Sequence, residues 1–176
     1  MHLENKTEFY FKYRVKLLKH YNISYNESNL FTFQDKLNYL LIHDNPELKT
    51  DSVYKIKIYQ FIKKILRKKI CIVILKIYKN EDEINLDELP QKFILKTNHG
   101  SEMNIIWKDK SKFNIIEPKN KLKRWKKMNY GLLQSEFQYF LVNRKIYASL
   151  YLDYKLIDYE IYCFNNQQKF ILVRKL

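Results

Sequence analysis

Apolar positions along the chain change their period several times, and the changes predict the elements. Tyr10, Tyr13, Leu17 and Tyr21 recur at helical spacing, as do Phe11, Val15 and Leu18, which predicts a helix over 7–21 capped by Thr7. Leu37, Leu40 and Leu41 predict a second helix from Phe33 to His43, started by Thr32 and Asp35 and ended by His43-Asp44-Asn45-Pro46. Val53, Ile56, Ile58, Phe61, Ile62 and Ile65 give a third helix, Asp51 to Arg67, an apolar face wide enough to be packed inside. The period then shortens. Ile70 to Leu75 is a β-branched run that reads as a buried strand, continued by Ile77-Tyr78. Phe93–Leu95 and Ile105–Trp107 read as short strands around a polar turn from Thr97 to Asn104, with Pro90 placed before the first. Helical spacing returns from Ile115 to Met128, where Leu122, Trp125 and Met128 share a face. Asn114 and Glu117 are spaced like a capping box and Pro118 suits the first turn. Lys145 to Leu152 reads as a strand leading into a hinge, and residues 158–171 as a hairpin turning at Asn165-Asn166. The predicted class is α+β, with N-terminal helices followed by an antiparallel sheet and a packed basic helix.

Composition narrows this picture. A chain of 176 residues fits one compact domain or two small lobes and can bury a core. Only 2 Gly and 3 Pro speak against a disordered or collagen-like chain. No stretch approaches a membrane span. The opening Met1-His2-Leu3-Glu4-Asn5-Lys6 lacks a signal-peptide pattern, so a cytoplasmic location is expected. A net charge of +14 invites a nucleic-acid or anionic-membrane partner. The cations are mostly lysine, however, in a chain also rich in Asn, Ile, Tyr and Phe, as A- and T-rich codons would produce. A reader of bases would be expected to use more arginine. Nucleic acid is therefore the less favoured partner, while nucleotides and anionic surface-polymer precursors fit the charge. Lys119, Lys121, Lys123, Arg124, Lys126 and Lys127 make one helix very basic, as a solvated face or an electrostatic docking surface. Cys71 and Cys163 lie in apolar runs and read as buried small hydrophobes, and no Cys/His spacing matches a zinc site. Asp82, Glu83, Asp87 and Glu88 read as a solvated connector.

One stretch offers candidate chemistry. Lys96 ends a strand and faces a loop of Asn98, His99, Gly100 and Ser101. Inward-pointing loop N–H groups make an anion-binding nest, and a lysine adds a compact positive charge. A plain hairpin turn is the alternative. The order Leu-Pro-x-Lys-Phe-x-Leu-Lys-x-Asn-His-Gly-Ser from Leu89, then Asn-Ile-Ile-x-Lys-Asp-Lys-Ser-Lys to Lys112, closely resembles the phosphate-loop region of the TupA-like ATP-grasp family. That family is associated with bacterial cell-surface polysaccharide and teichuronopeptide synthesis. The resemblance runs from about residue 33 onward and is most specific from Leu89 to Lys112.

The resemblance implies a partial ATP-grasp-like fold, with a helical segment over 1–50, a helix-strand lead-in over 51–90 and a nucleotide-binding lobe over 91–176. It implies ATP and magnesium as cofactors, and ligation of a carboxylate through an acyl phosphate. It places Lys96, Asn98, His99, Gly100, Ser101, Asn104 and Lys108 around the phosphates, and Ser149, Leu150, Tyr151 and Leu152 along the adenine. Departures from the family pattern fall on some of these positions and on others that the pattern assigns to the site. Lys55 matches, but Tyr59 stands where an arginine is expected and Gln60 where an acid is expected. Gly100-Ser101-Glu102-Met103 replaces Gly-Ser-Gly-Gly. Ser149 and Leu150 replace two glutamates, and Glu160 replaces a lysine. The family's metal-binding acids follow the last hairpin, where this chain stops at Leu176, so that segment is expected to be missing. The expectation is an ATP-grasp-like protein with weakened or lost catalysis. A non-catalytic paralogue acting as a binding partner is the alternative, and a basic nucleic-acid module a more distant one.

Overall fold

A computed structural model describes residues 8, 12, 13, 15, 16, 28–43, 46–66, 73–112, 114–133, 136–152 and 157–175. Most of the helix expected over 7–21 therefore lies outside the described residues, as do Cys71 and the start of the run from Ile70.

Helix α1 spans Phe33–His43. Its start is a closed capping box: the Asp35 amide donates to Thr32 Oγ1 at 3.1 Å, and the Thr32 amide donates to the Asp35 carboxylate at 2.9 Å. The single helix expected over Asp51–Arg67 is instead two, α2 (Pro46–Val53) and α3 (Lys55–Leu66). The helical run begins earlier than predicted because Pro46 fits the first turn, where its missing N–H is not needed.

Strands β1 (Ile74–Tyr78), β2 (Phe93–Thr97), β3 (Asn104–Trp107) and β4 (Ile146–Leu150) form one antiparallel sheet in the order β1-β4-β2-β3. β1 includes the expected continuation through Ile77-Tyr78, and its ladder with β4 reaches Tyr78, opposite Ile146. One face of this sheet is sealed. Phe93, Leu95, Trp107, Ile146 and Ala148 are fully buried there, with the Phe93 and Trp107 rings stacked at 5.2 Å. Helix α4 (Ile116–Lys127) closes that face with Leu122. Its predicted capping box does not close. Asn114 Oδ1 accepts from the Ile116 amide at 2.9 Å, and the N-cap Ile115 has no side-chain cap, because Asn114 sits one residue too early. The acidic connector is also more than a solvated loop. Its two short turns insert Ile84 and Leu89 into the core, and Glu81 is buried with its carboxylate 3.7 Å from Lys123.

Short helices α5 (Tyr130–Leu133) and α6 (Phe137–Phe140) lead to β4. β5 (Ile157–Phe164) and β6 (Gln167–Lys175) pair as a separate ribbon. Asn165 and Asn166 turn it with φ of 47° and 58°, the left-handed geometry that two-residue hairpin loops require. Cys163 is exposed on this ribbon, not buried as expected, because the ribbon presents both faces to solvent. Among the described residues no helix is long and apolar enough to cross a membrane.

Candidate active site

The open face of the sheet lies under α3, and a cleft of about 310 Å³ separates them. Its roof is a helical stripe, Lys55, Ile58, Tyr59 and Ile62, at positions i, i+3, i+4 and i+7. Its floor is Ile74, Lys96, Tyr147 and Ser149. Strand pairing makes that floor. Lys96 sits opposite Tyr147, and Ile94 and Ile74 flank Ser149 from either side. Directly paired residues share a face, so Lys96 and Tyr147 stand side by side. Lys55 and Lys96 bring two ammonium groups to one end, and the isoleucines make the other end apolar.

Both lysines are held below the usual lysine range. Burial is the main cause for each, and for Lys55 the nearby Lys96 charge adds to it. Lys55 Nζ also donates to the Gly100 carbonyl, which ties α3 to the loop between β2 and β3.

That loop is fastened from within. The Thr97 amide donates to the Met103 carbonyl at 3.1 Å, and the Asn104 amide to the Glu102 carbonyl at 2.9 Å. Asn98 is fully buried: its Nδ2 donates to the Asn143 carbonyl at 2.8 Å, and its Oδ1 accepts from the Lys145 amide at 2.7 Å. His99 Nε2 donates to the Trp125 carbonyl at 3.0 Å, near the end of α4. Burial pushes the His99 imidazole down to about 4, so it is neutral at physiological pH. Gly100 is packed so closely that a Cβ there would lie 2.9 Å from Met103 Sδ and from the Tyr130 ring.

Of the residues expected around a nucleotide, Lys96 and Ser149 line the cleft. Asn98 and His99 turn inward and latch the loop to the segment before β4 and to α4. Gly100 contributes its carbonyl to Lys55. Ser101 is exposed at the loop tip; Asn104 is exposed opposite Lys96 on β3; Lys108 is exposed beyond β3. The Leu150 amide is committed to the Val73 carbonyl at 3.0 Å, and Tyr151 and Leu152 follow β4, half-buried. Tyr59 and Tyr147 were not among the expected site residues. Tyr59 stood out in the sequence only as the residue standing where the family pattern has an arginine, and its place three and four residues from Ile62 and Lys55 puts it on the same helix face. Tyr147 had no local signal, because only its register opposite Lys96 places it.

These features define an α+β protein with a cation-lined cleft on the open face of an antiparallel sheet, which is consistent with a partial ATP-grasp-like fold. Residues 35–174 match the model of the TupA-like ATPgrasp family, and the chain belongs to that family. No curated protein and no solved structure matches it. ATP-grasp proteins generally bind ATP and magnesium. The cleft fits phosphate through its two ammonium groups. It offers no comparable fit to a divalent ion, since no group of three His, Cys, Asp or Glu that could hold a metal occurs among the described residues.

Proposed function

We propose that the cleft beneath α3 binds a nucleotide through its phosphates, in a protein that serves bacterial cell-surface polymer synthesis with weakened or lost ligase chemistry. One observation supports the binding half. Lys55 and Lys96 are both half-buried on one cleft, and neither forms an ion pair with a carboxylate among the described residues. Burying charge without a counter-charge is costly, and an anionic ligand supplies the missing partner. Lys96 then holds phosphate directly. Lys55 shares its donors between phosphate and the Gly100 carbonyl, which keeps the loop against the ligand.

The weakened half rests on side chains around the same cleft. Tyr59 lines it where the family resemblance implies an arginine, so a planar double donor is absent there. Glu102 adds an exposed carboxylate to the loop at φ 58°, a geometry that favours glycine. The same binding would serve a non-catalytic partner protein, which differs only in having no turnover. A nucleic-acid module is less supported, because some cations of the basic helix have partners within the protein: Lys126 Nζ donates to Asn80 Oδ1 at 2.6 Å, Lys123 lies 3.7 Å from the Glu81 carboxylate, and Lys121 lies 4.9 Å from the centre of the Trp125 ring, although Lys121, Lys123, Arg124 and Lys127 are exposed.

Calorimetric titration with magnesium-ATP tests the reading. Weak binding is expected in the wild type and none in Lys96→Met. The unliganded Lys96→Met protein should melt at or above the wild-type temperature, because the change removes a half-buried charge with no counter-ion. Binding that survives Lys96→Met unchanged would sink the assignment of the cleft. Tight binding with turnover would sink the weakened chemistry.

A further inference from the structure

The β5–β6 ribbon carries large apolar side chains that the rest of the chain leaves in solvent. Strand pairing sorts them onto two faces, since directly paired residues share a face. Ile157, Tyr159 and Ile161 stand opposite Lys175, Val173 and Ile171 on the first face. Asp158, Glu160 and Tyr162 stand opposite Arg174, Leu172 and Phe170 on the second. On the first face Ile157, Tyr159, Ile161, Ile171 and Val173 are 48 % to 58 % exposed. A two-stranded ribbon alone is marginal in water, and a contiguous exposed apolar patch marks a surface that something covers.

Charge is divided between the two faces as well. Asp158 and Glu160, the ribbon's acidic residues, both lie on the second face, where Arg174 Nη2 donates to the Glu160 carboxylate at 2.6 Å. Lys175 lies at the base of the first face, opposite Ile157. Lys169 is the extra residue where the pairing shifts between Phe170 and Gln168, beyond Ile171 towards the turn. Lysines thus bracket the apolar stretch along its length, and the carboxylates stand behind it. That pattern complements a surface with anionic groups over an apolar interior, which is a bilayer with anionic headgroups. Lysine stems lie along apolar surface while their ammonium groups reach the headgroup layer. A second copy of this chain is a poorer match, because stacking first face on first face would set lysines against lysines in two chains of net charge +14.

We propose that the face formed by Ile157, Tyr159, Ile161, Ile171 and Val173 docks on an anionic lipid bilayer. Laid flat, the ribbon puts these side chains among the upper acyl carbons. Its backbone edges stay in the hydrated headgroup layer, so no unpaired N–H or C=O enters the hydrocarbon. Being about half-exposed, the five side chains would bury on the order of ten methylene groups' worth of apolar surface. One acyl chain of about that size gives only marginal, reversible attachment, and stable binding takes a second signal. The cations supply it, through Lys169 and Lys175 on the ribbon and the net charge of +14 over the chain. Docking is therefore conditional on lipid charge. It uses none of the residues that line the nucleotide cleft.

The test is co-sedimentation of the full chain with vesicles of phosphatidylcholine alone and of phosphatidylcholine mixed with phosphatidylglycerol. At low salt the wild type should bind the mixed vesicles about tenfold or more tightly than the neutral ones, and high salt should erase the difference. Ile161→Thr/Ile171→Thr keeps a β-branched residue on each strand and should lose about tenfold on the mixed vesicles. Lys169→Gln/Lys175→Gln should lose about tenfold at low salt only. Leu172→Thr, on the second face, should bind within about twofold of the wild type. A readout that misfolding does not mimic is depth. Tyr159→Trp should gain emission that brominated acyl chains quench, and Leu172→Trp should gain emission that they do not. Equal binding to the two kinds of vesicle, binding to neither, or equal quenching at the two positions would overturn the proposal. Undiminished binding in Ile161→Thr/Ile171→Thr would overturn it too, and would assign attachment to the exposed cations of α4. A dimer that dissociates in Ile161→Thr/Ile171→Thr, with no vesicle binding by the wild type, would give the face to a second copy instead.

Discussion

The two faces of the four-stranded sheet come from the same strands, yet they differ in kind. On one face Phe93, Leu95, Trp107, Ile146 and Ala148 are sealed against Leu122 of α4. On the other, their immediate chain neighbours Lys96, Tyr147 and Ser149 look into the cleft beneath α3. A single step along β2, from Leu95 to Lys96, crosses from dry core to polar cleft. The backbone ladder is common to both faces, so it cannot account for the difference; side chains do. Each large apolar residue on the sealed face stabilises the fold by roughly 1.5–3 kcal/mol. The buried, unpaired Ser149 hydroxyl on the open face offsets that by about 1–3 kcal/mol. The sealed face is not free of such costs, since Tyr78 Oη is buried there without a hydrogen-bond partner among the described residues, but it carries the apolar burial that the open face lacks.

The comparison is broken most directly from the sealed side. Trp107→Ala removes a fully buried ring stacked on Phe93 and should lower stability by about 3–5 kcal/mol, read by urea unfolding. Under conditions where the variant is still folded, its affinity for tripolyphosphate should equal that of the wild type. A matching loss of affinity would mean that the two faces are not independent.

Next in size is the joint between the faces, His99. Its imidazole titrates at about 4 in the folded chain against 6.5 ordinarily, so the unfolded chain takes up the proton first as pH falls. The stability contributed is complete above about pH 6.5 and is lost as pH drops towards 4, by roughly 3 kcal/mol. Denaturation curves across that window should show this loss in the wild type and a flatter profile in His99→Gln. Parallel profiles would mean that carboxylates elsewhere govern acid stability and that His99 is not the latch described.

The sealed face was largely legible in the sequence. Phe93, Leu95 and Trp107 announced two strands, and Leu122 and Trp125 announced the helix that covers them. Asn165-Asn166 announced the ribbon turn by chemistry that local geometry obeys. The open face was legible only in fragments. Lys96 stood out as a charge ending an apolar run, whereas Tyr147 looked like strand filler. What joins them is the insertion of β4 between β1 and β2, a pairing across about fifty residues that no local pattern encodes. Asn98 and His99 show the same limit from the other side. An amide and an imidazole beside a lysine are equally suited to hold phosphate or to satisfy buried carbonyls. Only the arrival of Asn143, Lys145 and Trp125 from distant parts of the chain gives them their present hydrogen bonds. The acidic connector was misleading because its charges conceal two apolar residues, Ile84 and Leu89, that face inward.

The smallest expected effect tests whether the loop beside the open face still has the backbone of a phosphate loop. Glu102 adopts φ 58°, where a side chain costs about 1–2 kcal/mol that glycine does not incur. Glu102→Gly removes that strain but also loosens the unfolded chain, which takes back about 0.4–1 kcal/mol. The two nearly cancel, and the net gain should be about 0.5 kcal/mol. Binding should respond more clearly than stability, because the change also removes an exposed carboxylate from the loop tied to Lys55. Tripolyphosphate affinity should rise a few-fold at low ionic strength and the gain should shrink in high salt, as an exposed charge requires. A gain that persisted in high salt would point to backbone N–H groups freed by the glycine instead of to charge. A loss of stability of 1 kcal/mol or more with no change in affinity would show that Glu102 is a structural residue whose loop has no part in the cleft.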